Sequence, residues 1–418
     1  MSYFYFKKEN GQFRVLDTDK YIFSDISHNE LRKLTHYYEV FDGYDASDEG
    51  IKAFGKDFRL WCRELRFNTL KILSIDYKKF YSHPGAVQCV FMNLCKGKYE
   101  HHKSIIKVEN KYFQKCFNGG LSYCVPGIHE CFGRDFSGFY PSLLADMDLM
   151  IPNKPGKEKT ITELPHRKKL KPGFYRVKIT CVTDNFKKIF AFSKDNIYAH
   201  SSLQYAMKHK KQFDVSINLI IDDEPNAYIY RKKDMESCGS IFGTWYEKLI
   251  PLKKAFPQNR LIKHLTSSLW GHLTQYNKMN KTVEELDEGG YDWGITNDRE
   301  WKILKHTIYE DRAYYTVTST TNPFKSSLRI MPFLLAHARN KVGDAVLKGG
   351  IDDVVRIYSD NITFNRDVDL DIPNLLPEGK TSENIEWTSA RFGKHICPKC
   401  DGRFRYAKKE FAKHIEEC

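Results

Sequence analysis

One acidic residue, Asp135, begins the segment DFSGFYPSLL and ends a short run, residues 131–135, that predicts a strand. Pro141 suits the first turn of a helix, because the N–H that proline lacks has no helical partner there. Asp135 is therefore predicted at a strand end, just before a helix. Backbone N–H groups of residues 137–140 would face a phosphate at the helix N-terminus, with the Tyr140 ring beside a sugar. The alternative is that Asp135 is an ordinary turn residue and Tyr140 belongs to the core.

A second aspartate, Asp360, lies in VVRIYSDNITF, residues 354–364, where two runs rich in β-branched residues flank a Ser-Asp-Asn turn. This pattern predicts a hairpin with Asp360 at its tip, although aspartate is also common in turns for structural reasons alone. Two-metal phosphoryl transfer requires carboxylates that hold two ions roughly 3.5–4 Å apart. Mg²⁺ prefers a few carboxylates together with substrate phosphates. Asp135 and Asp360, from separate strands, are candidates for that pair.

A basic helix is predicted between the two aspartates in sequence, over RLIKHLTSSLWG, residues 260–271. Helical spacing places two cations, a hydroxyl, an aromatic ring and a glycine on one face, which suits a triphosphate beside a stacked base. The alternative is an amphipathic helix with ordinary surface charges. The polar face consists of Arg260, Lys263, Ser267, Trp270 and Gly271, and the apolar face of Leu261, Leu265 and Leu269.

The last 22 residues carry the pattern C-x₂-C-x₁₃-H-x₃-C. Cysteine and histidine at such spacing are typical of a tetrahedral Zn²⁺ site, and Phe404 and Phe411 fall where a ββα zinc finger has its small core. The alternative is four unrelated residues at a basic C-terminus. A finger that contacts DNA and one that only folds the tail fit the sequence equally well. The predicted ligands are Cys397, Cys400, His414 and Cys418.

The overall composition favours a nucleic-acid partner. Lys and Arg number 66 against 53 Asp and Glu, which gives a net charge of +13, and such a surface binds phosphate backbones through counterion release. The 11 cysteines form no framework typical of secreted proteins, which indicates a reducing compartment. The aromatic and charged residues 1–14 do not have the pattern of a signal peptide. No run of about 18 apolar residues predicts a membrane span.

The elements that would position these residues are predicted from periodicity and turn residues. Helices are predicted near residues 29–66, 245–275 and 330–347, and strands over residues 175–182 and 215–221, besides the hairpin. The Pro- and Lys-rich segment 151–172 and the acidic segment 281–300 are predicted to be loops or insertions.

Three of these segments, in this order, resemble motifs A, B and C of the family B DNA polymerases: DFSGFYPS, KHLTSSLWG and RIYSDN. The family patterns are roughly D-x-x-S-L-Y-P-S, K-x-x-x-N-S-x-Y-G and Y-x-D-T-D-S. FNGG, just before motif A, resembles the Y-x-G-G segment of the protein-primed branch, which occurs in viruses, linear plasmids and large DNA transposons. The resemblance covers about residues 110–365 and implies template contacts for Phe117, Asn118, Gly119 and Gly120.

Motif C can be aligned in two registers. If Tyr358 takes the position of the family's Tyr, Asp360 is the first aspartate and Ile362 replaces the second, which is the essential metal ligand. If Asp360 takes the position of the second aspartate, Tyr358 replaces the first. We prefer the second register, because the apolar run after the turn then begins in place and the hairpin tip carries the carboxylate.

The resemblance implies an α+β right-hand architecture, in which an antiparallel palm sheet, helical fingers and a short thumb precede the ββα zinc finger. No D-x-E motif occurs before residue 110, so no 3′–5′ exonuclease domain is expected. The expected divisions are an N-terminal region of uncertain fold (1–110), the first half of the palm with an insertion (111–240), fingers (241–280), an insertion and the second half of the palm (281–365), a short thumb (366–395) and a zinc finger (396–418).

The expected function is template-directed DNA synthesis, in which dNTPs are added to a primer 3′ end or to the hydroxyl of a protein primer. Asp135 and Asp360 would hold two Mg²⁺ ions, and the tail would hold one structural Zn²⁺. Arg260 and Lys263 would neutralise the triphosphate, and Tyr140 would exclude ribonucleotides by crowding the 2′-OH. The expected lining of the nascent base pair is Ser267, Trp270 and Gly271.

The expected partners are template and primer DNA, dNTPs, a terminal primer protein and a viral or replication protein, with no membrane. The expected location is a reducing intracellular compartment, either nucleus or cytoplasm, and a virus-encoded origin fits the same branch. The alternative is a polymerase-derived protein that has lost catalysis and serves as a DNA-binding or assembly scaffold. The short thumb, the missing exonuclease and Ile362 favour that alternative.

Overall fold

The structure is a computed structural model of the 418-residue chain. It describes residues 3–7, 12–17, 22–31, 37–39, 47, 83–116, 119–255, 260–288, 301–309, 312–319, 324, 326–377, 383–397, 400 and 403–405. These residues form a mixed α/β fold in two compact units. Unit 1 comprises Met1–Lys98 and Phe242–His272, and unit 2 comprises Tyr99–Ile241 and Leu273–Cys418.

The strands follow in chain order: β1 (Tyr3–Lys7), β2 (Phe13–Asp17), β3 (Ile22–Ile26), β4 (Tyr37–Glu39), β5 (Ser122–Cys124), β6 (Gly127–Phe136), β7 (Met150–Pro152), β8 (Lys157–Lys159), β9 (Gly173–Cys181), β10 (Ile197–Ala199), β11 (Val215–Leu219), β12 (Ala227–Ile229), β13 (Met235–Ser237), β14 (Lys278–Thr282), β15 (Trp301–Tyr309), β16 (Arg312–Ser319), β17 (Val354–Tyr358), β18 (Asn361–Phe364), β19 (Leu375–Pro377), β20 (Glu383–Ser389), β21 (Phe392–Ile396) and β22 (Arg403–Arg405).

The α-helices are α1 (His28–Leu31), α2 (His83–Leu94), α3 (Lys107–Lys115), α4 (Phe139–Leu144), α5 (Asn185–Ile189), α6 (His200–His209), α7 (Cys238–Ala255), α8 (Arg260–Ser267), α9 (Leu269–Leu273), α10 (Val283–Glu288) and α11 (Met331–Gly349). Short 3₁₀ turns occur at Arg167–Lys169, Lys232–Asp234 and Ile351–Asp353.

Unit 1 contains a four-stranded sheet in the order β3-β2-β1-β4, in which only the β1–β4 pair is parallel. Phe13, Val15 and Leu31 form a small buried cluster on this sheet. Helix α2 packs against α8, and its Phe91 ring stacks on Phe242 with centroids 5.3 Å apart. Apolar residues at helical spacing therefore bury one face of α2 within unit 1.

The largest sheet of unit 2 is antiparallel, with the order β22-β21-β20-β6-β18-β17-β5 and with β19 also paired to β6. The ten residues of β6 make it long enough to pair with three strands. Because side chains alternate along a strand, Asp135 lies on one face of β6, and Arg134 and Phe136 on the other. Arg134 and Phe136 are buried, so the sheet has a core face opposite Asp135.

Helix α11 packs on α4, α5 and α6 within unit 2. It begins with a proline at its second position, Pro332, where the missing N–H costs nothing, and it ends before Gly350, whose φ of +97° favours glycine. Phe333 of α11 lies 5.4 Å from Phe174 of β9, between ring centroids. An aromatic core thus connects α11 to the second sheet of unit 2, which has the order β10-β9-β12-β8 with β11 also paired to β9.

Several predicted elements are present at nearly the predicted positions. The 354–364 hairpin is β17 and β18, the strands predicted over 175–182 and 215–221 are β9 and β11, and the helix predicted over 330–347 is α11. Residue 135 lies one position before the end of β6, and Pro141 lies in the first turn of α4, as the sequence predicts.

Other predictions were wrong in part. The helix predicted near residues 29–66 is limited, in the described residues, to α1, and Tyr37–Glu39 is a strand because it pairs with β1. The helix predicted over 245–275 is divided into α7, α8 and α9. The segment 151–172 is not all loop, because β8 pairs with β12, and α10 lies within the acidic segment 281–300. No helix in the described ranges combines the length and apolar character needed to cross a membrane.

Candidate active site

Two strands of the large sheet bring the two predicted catalytic aspartates next to each other along the backbone. Asp135 of β6 pairs directly with Asn361 of β18, and Asp360 is the residue before Asn361, in the turn. The N–H of Phe136 donates to the carbonyl oxygen of Asp360 over 3.2 Å. Both aspartates are half-buried. The sheet register therefore brings together the backbones of residues that are 225 positions apart in sequence.

The turn that carries Asp360 is a two-residue hairpin loop. Tyr358 and Asn361 form the last pair, and Ser359 and Asp360 make the turn. Ser359 has a φ of +61°, because tight hairpins that match strand twist require a positive φ at the first central position or at both. Asp360 is thus at the hairpin tip, as predicted, but the residue across from Asp135 is an amide, Asn361.

The Gly-Gly segment before motif A packs against this turn. A Cβ on Gly120 would lie 3.0 Å from the Cα of Ser359, so only glycine allows this approach without a shift. The N–H of Ser359 donates to the carbonyl of Leu121 over 2.8 Å. Gly119 has a φ of +64°, and its carbonyl accepts a 2.6 Å hydrogen bond from Arg339 Nη1. Phe117 and Asn118, the other residues of the predicted template segment, lie outside the described residues.

Tyr140 reaches the same turn from α4. Its hydroxyl is 2.8 Å from Ser359 Oγ, and the ring is half-buried. Burial raises the pKa of the Tyr140 hydroxyl, and the nearby Asp360 carboxylate acts in the same direction, whereas the Ser359 hydrogen bond and Arg339 lower it. Gly138, at the N-cap of α4 with a φ of +64°, allows the chain to turn from the strand into the helix. The spacing D-x-x-x-x-Y thus places Asp135 at the strand end and the Tyr140 ring next to the same hairpin turn.

Sequence reasoning missed a buried arginine that contacts Asn361, the strand partner of Asp135. Arg356 of β17 donates from Nη1 to Oδ1 of Asn361 over 2.6 Å and from Nε to the carbonyl of Ala390 over 2.7 Å. Its guanidinium lies 4.4 Å from the centre of the Trp387 ring, a cation–π distance. Nothing in the local pattern VVRIY distinguishes this arginine from an exposed strand residue. Only the sheet register places it against Asn361.

Burial and hydrogen bonding act in opposite directions on the Asp360 carboxyl. Burial raises the pKa of the Asp360 carboxyl, while backbone hydrogen bonding and the Ser359 hydroxyl lower it. A nearby cation stabilises the ionised form and would reverse the effect of burial. The carboxylate oxygens of Asp135 and Asp360 are hard ligands of the kind that Mg²⁺ prefers. Asp135 on β6 and Asp360 at the hairpin tip therefore supply two carboxylates of the chemical type that such an ion uses.

The predicted phosphate site at the start of α4 is partly wrong. The N–H of Ser137 donates to the carbonyl of Asn374 over 2.8 Å, because β19 continues the pairing of β6 beyond the turn. This donor is therefore used within the protein and cannot bind a phosphate.

The predicted nucleotide-binding helix lies in unit 1 as α8 and α9. The chain bends at Ser268, so Trp270 and Gly271 are in a second short helix. Lys263 is exposed, and Ser267 Oγ donates to the Lys263 carbonyl over 2.6 Å. Leu265 and Leu269 are buried, as the apolar-face prediction requires. The side chains of Arg260 and Leu261 lie outside the described residues.

The cysteine tail is joined to the large sheet. Cys397 is buried and Cys400 is exposed, in the connection between β21 and β22. β21 pairs with β20 and with β22, so β22, which lies within the predicted finger, is also a strand of the main sheet. His414 and Cys418 lie outside the described residues, and the zinc site remains a prediction.

Comparison with protein-family models and with curated proteins finds no match. Among solved structures, the chain is similar to phi29 DNA polymerase complexed with primer-template DNA and incoming nucleotide substrates, with a TM-score of 0.56 and 11% identity over 99% of this chain and 79% of that one. The complex of the same polymerase with single-stranded DNA gives a TM-score of 0.52 and 11% identity, over 92% of this chain and 69% of that one. The chain therefore has a fold like that of phi29 DNA polymerase.

Proposed function

We propose that this chain is a DNA-directed DNA polymerase that adds dNTPs to a primer terminus, with Asp135 and Asp360 as its catalytic carboxylates. The observation that carries the proposal is the pairing of β6 with the β17–β18 hairpin, which places the two aspartates one register step apart. The fold likeness to phi29 DNA polymerase supports it, as does the net charge of +13, since a basic surface binds a polyanionic template.

Asp135 and Asp360 would hold two Mg²⁺ ions, because the sheet register brings these two carboxylate-bearing residues together at the end of the hairpin. When bound, these ions neutralise negative charge on the phosphates and lower the pKa of the attacking hydroxyl. The oxygen of the primer hydroxyl bonds to the α-phosphorus of the dNTP, the bond to the bridging oxygen breaks, and pyrophosphate leaves. The hydroxyl proton passes to solvent. The polymerase residues contribute mainly by positioning and electrostatic stabilisation.

The other roles follow the motif resemblance. Lys263 and Arg260 neutralise the triphosphate, and Tyr140, held by Ser359, crowds the 2′-carbon of the sugar so that ribonucleotides are excluded. Ser267, Trp270 and Gly271 line the nascent pair. The template segment is Phe117, Asn118, Gly119 and Gly120.

The branch and the setting are part of the proposal. We infer a protein-primed polymerase without an exonuclease domain, encoded by a virus or another mobile element, that acts inside the cell and takes a terminal protein as primer. The right-hand divisions of palm, fingers and short thumb, with the C-terminal zinc finger and its single structural Zn²⁺, belong to the same inference.

The test is primer extension with Mg²⁺ and labelled dNTPs on a template–primer, with DNA binding measured in parallel. Asp135→Asn and Asp360→Asn should each lower extension by roughly 100-fold or more, as when a group that stabilises transition-state charge is lost. Template binding should persist, because it depends mainly on Lys and Arg. Asp369→Asn, at an exposed carboxylate of unit 2, is the matched control and should extend normally.

Two outcomes would contradict the proposal. Wild-type protein that binds template–primer but extends nothing would favour the non-catalytic scaffold. Normal extension by Asp360→Asn would show that Asp360 is not the motif C ligand.

A further inference from the structure

Two adjacent histidines and a glutamate meet on unit 2, and none of the three belongs to the motifs. His101 and His102 lie in the segment before α3, and Glu236 is the middle residue of β13. One carboxylate oxygen, Oε2 of Glu236, lies 2.8 Å from Nε2 of His101 and 3.1 Å from Nε2 of His102. The three potential ligand atoms all lie within 4.8 Å of one another.

The cluster is partly enclosed but open on one side. The His102 side chain has 0% exposure, whereas His101 retains 48% and Glu236 22%. A buried ligand and two partly exposed ones leave room for water to complete a coordination shell. Solvent can also deliver an ion to the cluster, because His101 and Glu236 are accessible.

The chemistry of the two rings is compatible with a metal. Burial lowers the pKa of His102 to about 4, although Glu236 opposes this shift. Nδ1 of His102 has no hydrogen-bond partner within the described part of the chain. The Glu236 carboxylate can only accept, so each Nε2 that faces it donates its N–H, and an ion bound at Nε2 would displace that proton. Arg329, a nearby cation, is neutralised by a bidentate pair with Glu109, whose two bonds are 2.7 and 2.9 Å.

We propose that His101, His102 and Glu236 bind one Zn²⁺ ion, with water as the fourth ligand. Two imidazoles and one carboxylate are a ligand set that zinc accepts, with bonds of about 2.0–2.2 Å. Small rotations of these side chains close the set around a single ion. The ion cross-links the segment before α3 to β13, and these two segments are 134 positions apart along the chain. The site is independent of the polymerase proposal, because none of its residues belongs to the motifs.

The predicted zinc site of the tail must first be disabled by substitution, because its cysteines are also expected to bind zinc and would add to the measured metal content. A full-length variant with Cys397→Ser and Cys400→Ser, purified without chelator and dialysed against zinc-buffered solution, should retain one zinc ion per chain. Adding His101→Ala or Glu236→Gln to this variant should abolish that ion. Both residues are partly exposed, so these changes should leave the fold intact. His28→Ala, at an exposed histidine of α1, is the matched control and should change nothing.

Cobalt substitution separates this site from a thiolate site. The Cys397→Ser/Cys400→Ser variant loaded with Co²⁺ should show visible ligand-field bands without thiolate-to-metal charge transfer, and Glu236→Gln should remove those bands. Chelation should lower the thermal midpoint of the parent variant and leave that of His101→Ala unchanged. A parent variant that takes up no metal, or equal metal content in the parent and in His101→Ala, would overturn the proposal and leave a hydrogen-bonded His–Glu cluster.

Discussion

Tyr140 connects α4 to the hairpin turn through its hydrogen bond to Ser359. Tyr140→Ala should raise the incorporation of ribonucleotides relative to dNTPs by roughly 10-fold or more, since pocket shape alone discriminates in about that range. Tyr140→Phe keeps the ring and loses only the hydroxyl, so it should retain most of the selectivity. A competition assay with mixed nucleotides measures both. Unchanged selectivity in Tyr140→Ala would place the ring in the core and remove it from the sugar site.

Asn361 occupies the position across from Asp135, where a carboxylate would lie beside the proposed ions. Asn361→Asp should lower the Mg²⁺ concentration needed for half-maximal extension, because it adds a charged oxygen ligand next to Asp135. The new carboxylate will also pair with Arg356, which now donates to Asn361 Oδ1, and this pairing should limit the gain. Mg²⁺ titrations of extension by the wild type and by Asn361→Asp measure the effect.

The Asn361→Ala variant serves as the structural control. It leaves a buried Arg356 donor without its partner, which costs about 1–3 kcal/mol of unfolding free energy, and it should not lower the Mg²⁺ requirement. If Asn361→Asp leaves the Mg²⁺ dependence unchanged while Asp360→Asn is inactive, Asp360 alone supplies the motif C ligand.

At the residue scale, the sequence predicted Asp135 at a strand end, Tyr140 in the following helix and Asp360 in a hairpin turn, because these segments are local and carry turn and helix signals. It did not predict Arg356 or Asn361, because a buried arginine becomes recognisable only when the strand register places an amide and a carbonyl against it. The same holds for Arg339, which supports Gly119 from a helix 220 positions away. The sequence predicted Asp360 at the hairpin tip, but it did not predict that the next residue, Asn361, would pair with Asp135.

Helices α4 and α11 are connected by a charged cluster at Asp146, just beyond the end of α4. Burial by itself would raise the pKa of Asp146, but hydrogen bonds from Lys341, His337 and the backbone of Asp148 lower it to about 2. An aspartate pKa below its usual value of about 3.9 adds stability that is present above pH 4. That stability should be lost progressively as the pH falls from about 4 toward 2.

Urea unfolding at a series of pH values measures this effect. Asp146→Asn should lower the urea midpoint at pH 6, and it should weaken the loss of stability between pH 4 and the acid limit. Asp184→Asn, at an exposed ion pair with Lys187, should change the midpoint much less, because exposed pairs contribute little. Equal pH dependence in wild type and Asp146→Asn would show that the cluster does not couple the two helices.

At the element scale, the sequence predicted long periodic segments and missed short strands. α11 and the β17–β18 hairpin have strong periodicity and turn residues of their own. β4, β8 and β22 have three residues each, and such strands exist because a neighbouring strand offers its hydrogen bonds. The bend at Ser268 was missed because the spacing of Leu265 and Leu269 continues across it.

Proofreading concerns the whole molecule, because it would need a second metal site besides the polymerase site. A mismatched, end-labelled primer incubated with Mg²⁺ and without dNTPs should remain intact, since residues 1–110 contain no D-x-E motif. Gel analysis over a time course measures this. Progressive shortening from the 3′ end in the wild type and in Asp135→Asn alike would reveal an exonuclease elsewhere in the chain.

The C-terminal tail is continuous with the large sheet, and this changes how its zinc site is best removed. A truncation at Lys394 would cut β21 and remove β22, so its effects on activity would combine damage to the sheet with loss of metal.

His414→Ala combined with Cys418→Ser removes two predicted ligands and spares both strands. This variant should bind one zinc ion fewer per chain and still extend primers, because β6 and the hairpin are intact. We expect Lys408, Lys409 and Lys413 of the folded tail to contact phosphates, so the DNA affinity of this variant should fall and its salt dependence should flatten. Zinc analysis and DNA binding at several salt concentrations test these effects together.

Unchanged zinc content would contradict the predicted zinc site in the tail. Loss of zinc with unchanged affinity and salt slope would limit the metal to folding the tail.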